Sequence, residues 1–206
     1  MINSRKFSQQ LSMQRPRVYF VPVFVLSCAL LGAQQNGRFA DLKSQGIGLF
    51  QGGKYSEAAG KLEAIWEEDQ SDAKVAEYLA MAYLYGEHDA AKAQPVMEKA
   101  IANGGQASFL VFHSHERLAA LHGDIINQYC AGKISVSPGK LVFISDSGEH
   151  SVTIDPAELK EFTVTGGAPG RISIKAAGKS YTFMAKTHSR AEAVLLATIT
   201  QQNFTR

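Results

Sequence analysis

Disulfide chemistry has almost no material to work with in this chain. Of its 206 residues only Cys28 and Cys130 are cysteine. Cys28 sits in a leading apolar run, so Cys130 has no partner in the body of the chain, and stability there must come from packing. Basic excess is lacking too. The formal net charge is +2, but Arg5, Lys6, Arg15 and Arg17 fall within the first 33 residues, which hold no acid. Beyond them 17 basic residues face 19 acidic ones. A near-neutral body argues against a nucleic-acid binder, which should show a clustered basic face. Long apolar runs are limited to VYFVPVFVLSCALLGA, residues 18–33, broken by Pro22. It falls short of the roughly 20 residues that a spanning helix needs. Catalytic signatures are missing as well. The glycine-rich GGAPG at 166–170 lacks the lysine and helix of a phosphate loop, and Asp155-Pro156 with Glu158 reads as a turn rather than a carboxylate pair.

What is present begins with a targeting pattern. Basic residues, the apolar run, the small pair Gly32-Ala33 and then polar QQNG read as an export signal over 1–33, cleaved after Ala33. MQRPRVYF is the more typical beginning of such a signal and points to a start at Met13. VLSC at Cys28 loosely resembles a bacterial lipobox, which implies lipidation of that cysteine; an uncleaved segment would instead act as an anchor. The expected location is periplasmic or secreted, with membrane contact only through this N-terminal segment.

From Phe39 to Gly104 apolar positions recur at helical spacing. Gly46 and Leu49, then Gly53 and Tyr55, then Ala58 and Leu62 follow one another as small and bulky residues around a Gly-x-Tyr turn. On these residues the segment resembles a tetratricopeptide repeat, a helical hairpin in which Gly46 and Ala58 permit close approach and Tyr55 packs across. A degenerate second copy follows about 34 residues on. Leu79, Ala80 and Tyr83 mark its first helix, Ala93, Met97 and Ala100 its second, and one extra residue lies near its turn. Pro95 is tolerable near a helix start. Two hairpins cannot bury a continuous core alone, so the rest of the chain or a partner must cover one flank. The helical domain is assigned to 39–105. The resemblance implies a protein or peptide partner. Residues 39–104 hold 6 basic and 11 acidic side chains, and Glu67, Glu68, Asp69 and Asp72, with Tyr78 and Tyr85, are the candidate partner-binding residues.

After Gly104-Gly105 the period changes to alternation. Strands are expected at 108–115, 130–137, 140–146, 150–156, 159–166, 171–178 and 179–186. A helix follows in HSRAEAVLLATITQQNF, where Ser189 and Glu192 form a capping-box pair. The predicted fold class is therefore α+β: a signal segment, two helical hairpins, then seven antiparallel strands closed by a C-terminal helix over 106–206. Seven strands and a helix resemble, by topology alone, a pleckstrin-homology-like barrel. The lipid-binding members of that family use several cations near the first strand connection. Here ERLAALHGDIINQY, 116–129, offers only Arg117, so no phosphoinositide ligand is expected.

His113 and His115, in FHSHER, share one side of the first expected strand with Phe109 and Val111. Cys130, His122 and His150 are nominal further ligands, though no ligand-spacing signature links them. The expected role of the histidine pair is on the strand face or at the interface between strands and helices, with no cofactor and no resident metal. The chain as a whole then reads as an exported, non-catalytic interaction or adaptor protein. The alternative is a metal-binding sensor or metal-dependent hydrolase built on His113 and His115.

Overall fold

The computed structural model describes residues 24–115 and 129–204, with side chains from residue 37 onward. Most of the expected export signal, Met13 included, and the connection holding Arg117 and His122 lie outside the described residues; Cys28 lies within a described helix, but its side chain is outside them. Arg38–Arg206 form one compact unit. Among the described residues no helix is long and apolar enough to cross a membrane.

Four helices come first: α1 Phe24–Gln51, α2 Tyr55–Trp66, α3 Ala73–Ala82 and α4 Ala90–Ala102. The α1–α2 approach depends on Gly46. A Cβ at that position would lie 2.7 Å from the Leu62 side chain, and Leu62 is fully buried. Tyr55 crosses the hairpin, its ring 4.9 Å from Phe50 and 5.8 Å from Tyr85. The carboxylate of Asp72 caps α3 by accepting from the backbone N–H groups of Lys74 and Val75, and that of Asp89 caps α4 through Lys92. Such caps satisfy donors that the first helical turn leaves bare. After α3 the backbone widens into a π-helical turn over Tyr83–Glu87 and ends at His88, which is left-handed at φ 56°. A π turn absorbs an inserted residue, and the second hairpin carries its extra residue near this point.

Seven antiparallel strands follow: β1 Ala107–Ser114, β2 Tyr129–Ser137, β3 Lys140–Ser145, β4 Ser151–Ile154, β5 Leu159–Thr165, β6 Arg171–Ala176 and β7 Lys179–Ala185. Each expected strand is present, and no end differs by more than two residues. Helix α5, Arg190–Phe204, closes the described chain. The sheet order is β4-β3-β2-β1-β7-β6-β5. The seven strands form an open antiparallel sheet, with β4 and β5 as its two edges. The chain leaves the four-residue β4 through Asp155-Pro156, and a proline has no N–H to continue a ladder.

Alternation divides β1. One side carries Ala107, Phe109 and Val111, which join buried Ile134, Val136, Leu141, Phe143, Ile172, Phe183 and the α5 residues Leu196 and Ile199 in the apolar core. Each of these valine, leucine, isoleucine and phenylalanine side chains contributes about 1.5–3 kcal/mol by leaving water. The other side begins with Ser108, fully buried, whose hydroxyl donates to Glu77 Oε1 on α3 at 2.6 Å. Gln106 Nε2 donates to the same oxygen at 2.8 Å. Strand β1 itself therefore covers the flank that two helical hairpins leave open.

The junction has a second polar contact. β1 pairs with β2 over its whole length but with β7 only through Val111, Phe112 and His113. Just before that short ladder, the Leu110 N–H donates to Tyr85 Oη at 2.6 Å, and the Tyr85 hydroxyl donates to Glu192 Oε1 at 2.8 Å. The anticipated capping box is thereby only half formed. Ser189 Oγ accepts from the Ala191 N–H, but Glu192 reaches past the cap to the Thr187 N–H and hydroxyl and to Tyr85.

Candidate functional site

The acidic group at the end of α2 is split among local tasks. Glu67 and Glu68 are exposed. Asp69 accepts from the Ser71 N–H at 2.8 Å, and Asp72 both caps α3 and pairs with Lys43. Tyr78 is half-buried, edge-on to Phe50 at 5.3 Å between centroids. Tyr85 is 6% exposed, and its hydroxyl is committed to Leu110 and Glu192. These six residues do not converge on one open surface: Asp72 and Tyr85 serve the chain's own helices and strands.

Of the two expected places the histidine pair takes the strand face, not the interface with the helices. His113 lies at the end of β1, and His115 just past it, away from Ser108 and Leu110, where the helices meet the strand; His113 faces the core side. Its ring centroid is 5.2 Å from that of Phe143 and 5.0 Å from that of Phe183, both fully buried. Holding the helices falls instead to Ser108 and Tyr85.

The β1–β2 register sets Cys130 directly opposite His113. Paired residues on neighbouring antiparallel strands point to the same face, and Cys130 Sγ lies 3.9 Å from His113 Nδ1. The His115 ring is 4.9 Å from that of His113, and one ligand atom from each of His113, His115 and Cys130 falls within 4.8 Å of the others. His150, in the β3–β4 turn, places its ring 4.6 Å from that of His115. Its backbone is fixed in both directions by Ser145, whose N–H donates to the His150 carbonyl at 2.9 Å and whose hydroxyl accepts from the His150 N–H at 3.0 Å.

Gly132 supports this arrangement from below. A Cβ there would stand 2.6 Å from the Phe143 ring and 2.5 Å from the Ile144 carbonyl. A glycine there leaves the room that the Phe143 ring occupies beside the His113 imidazole.

Electrostatics at the cluster favour neutral imidazoles. Burial, reinforced by the nearby charges of His115 and His150, pushes His113 down to about 4. Burial and His150 also lower His115. At neutral pH both rings therefore keep a lone pair available for an acceptor or a cation. The Cys130 thiol is raised, chiefly by burial and further by Asp146. It is consequently a poor nucleophile on its own, and a bound cation would have to displace its proton.

Sequence reasoning found His113 and His115 and named Cys130 and His150 without a reason to join them. Their joining comes from register, which a long β1–β2 connection does not fix.

No protein-family model and no curated protein matches this sequence. Among solved structures, part of the chain is similar to the C-terminal domain of an unknown protein from Leishmania infantum, at 15% identity and a TM-score of 0.33, over 45% of this chain and 80% of that one. Part is likewise similar to the Vps36 N-terminal PH domain, at 14% identity and a TM-score of 0.31, over 48% of this chain and 74% of that one.

Proposed function

We propose that this chain is a metal-binding protein whose β half holds a zinc-class ion through His113, His115 and Cys130. The observation that carries the reading is the convergence of two imidazoles and a thiol within 4.8 Å, from residues 17 positions apart in the chain. Packing alone accounts for the aromatic neighbours of His113. It gives no reason for a half-buried thiol and a second imidazole to meet the same ring. Imidazole and thiolate donors suit zinc or copper, whereas calcium and magnesium require oxygen ligands. An ion with Zn–N near 2.0–2.1 Å and Zn–S near 2.3 Å sets tetrahedral ligand atoms about 3.3–3.6 Å apart, so the donors need close by only about an ångström.

The adaptor reading, with a peptide lying in the helical groove, is weakened because β1 and Glu192 take up the inward side of α3 and Tyr85. On the metal reading the helices brace β1 from the other end of the strand. Elemental analysis of protein purified without a histidine tag tests this. About one zinc-class ion per chain is expected, lost in the His113→Ala/His115→Ala double variant. A metal-free protein that takes up no zinc on titration overturns the reading.

A further inference from the structure

We infer that His150 is the fourth ligand of this site, making it a closed three-histidine, one-cysteine centre rather than an open catalytic one. The inference rests on the metal-binding reading, which by itself leaves the sensor and the hydrolase both open. Three protein ligands plus a solvent position define a catalytic zinc site, and four protein ligands define a structural or sensing one. The decision therefore turns on what occupies the fourth direction around the three donors.

On the core side the neighbours of His113 are aromatic. The rings of Phe143 and Phe183 lie against His113, 5.2 and 5.0 Å away between centroids, and neither residue has a donor atom to offer. The outer approach passes the β3–β4 turn, where the His150 ring stands 4.6 Å from that of His115 at an interplanar angle of 49°. His150 is exposed while its backbone is anchored on Ser145, itself only 3% exposed. The ring can therefore rotate about its side-chain bonds without moving the turn. As a ligand, that third imidazole would fill the position that a substrate or a reactive water needs.

Each imidazole donates the lone pair of one ring nitrogen, and the Cys130 thiol loses its proton to solvent as the metal–sulfur bond forms. The resulting centre would tie β1, β2 and the β3–β4 turn together, so occupancy is reported as order in that turn. This is the behaviour of a sensor.

Cobalt substitution separates the possibilities. Tag-free full-length protein, titrated with cobalt(II) chloride, is expected to develop the intense visible bands of a tetrahedral site and a thiolate-to-cobalt band in the near ultraviolet, both abolished by zinc. In His150→Ala the visible bands should shift as one water takes the vacated position, and weaken where a second water raises the coordination number to five. Cobalt affinity should fall at least about tenfold, while the far-ultraviolet circular dichroism stays unchanged because His150 is exposed. Tetrahedral bands and affinity in His150→Ala identical to the parent overturn the fourth-ligand assignment and leave the metal reading standing. No cobalt or zinc binding by the parent chain overturns both.

Discussion

Tyr85 and Glu192 are 107 residues apart in the chain, yet their side chains share a buried hydrogen bond of 2.8 Å. The Tyr85 hydroxyl also accepts from the Leu110 N–H where the β1–β7 ladder has not yet begun. One phenol thus joins the π turn after α3, a strand edge and the first turn of α5. Burial pushes the tyrosine hydroxyl well above its usual range, with the Glu192 charge adding to the effect, so it stays protonated and able to donate.

Replacing Tyr85 with phenylalanine keeps the ring and removes both contacts. It leaves the Leu110 N–H and a Glu192 oxygen short of a partner in a buried place, each worth about 1–3 kcal/mol. Urea unfolding should show a loss of about 2–4 kcal/mol with an unchanged m-value. A loss below about 0.5 kcal/mol would mean that water replaces the hydroxyl without penalty.

Glu192 carries a pH signature of its own. Burial raises its carboxyl above the ordinary value of 4.5, against the lowering effect of hydrogen bonds from Thr187 and Tyr85. A raised folded-state value means that the folded protein holds the proton more tightly than the unfolded chain does. The associated stability is full below pH 4.5 and is lost as pH rises through the folded value. The stability of the parent relative to Glu192→Gln, which cannot ionise, should therefore fall from pH 4 upward and then level off. Unfolding curves at intervals from pH 4 to 8 check this, and a difference that stays flat or rises would contradict the sign.

Gly132→Ala probes the floor beneath the histidines. The added methyl meets the Phe143 ring and the Ile144 carbonyl well inside contact distance. Relief requires Phe143 to tilt away from His113 or β3 to shift, at about 1–3 kcal/mol. Zinc affinity should drop along with stability, measured by competition with a chromogenic chelator. Retained affinity in a destabilised variant would show that Phe143 does not position His113.

Cys130→Ser changes the donor and little else, since the residue is only half-buried. A hydroxyl is a harder and weaker ligand than a thiolate. Zinc binding should weaken at least about tenfold, and the near-ultraviolet thiolate band of the cobalt form should vanish. Persistence of that band would place the thiolate ligand at another cysteine.

Capping gives a local control at the other end of the molecule. Asp72→Ala removes the acceptor of two N–H groups at the start of α3 and the partner of Lys43. The cost should be about 1 kcal/mol by urea unfolding. Metal content should not change, because Asp72 belongs to the helical half.

The architecture was largely legible because both of its periods are strong. Alternation over the C-terminal half located seven strands to within two residues, and Gly46 against Leu62 followed the small-to-bulky logic of a helical hairpin. Long-range choices were not legible. Ser189 and Glu192 have the spacing of a capping box, so local chemistry hid the fact that Glu192 serves Tyr85. Tyr85 looked like a surface aromatic because its partners are a backbone amide of β1 and a side chain near the other end of the chain. His113 and Cys130 are the most instructive pair. Their alignment depends on β1–β2 register, and a single-residue slip would have sent Cys130 to the opposite face.

The short β1–β7 ladder sets a rule for cutting this chain. Gly104-Gly105 looks like a natural place to separate helices from strands, yet a fragment beginning there would carry β1 with Ser108 stripped of Glu77 and Leu110 stripped of Tyr85. Its first strand would present an unpaired edge beside the very residues that precede His113. An isolated β half is therefore an aggregation-prone reagent, and work on the histidine cluster calls for a fragment that keeps α3 and the π turn attached.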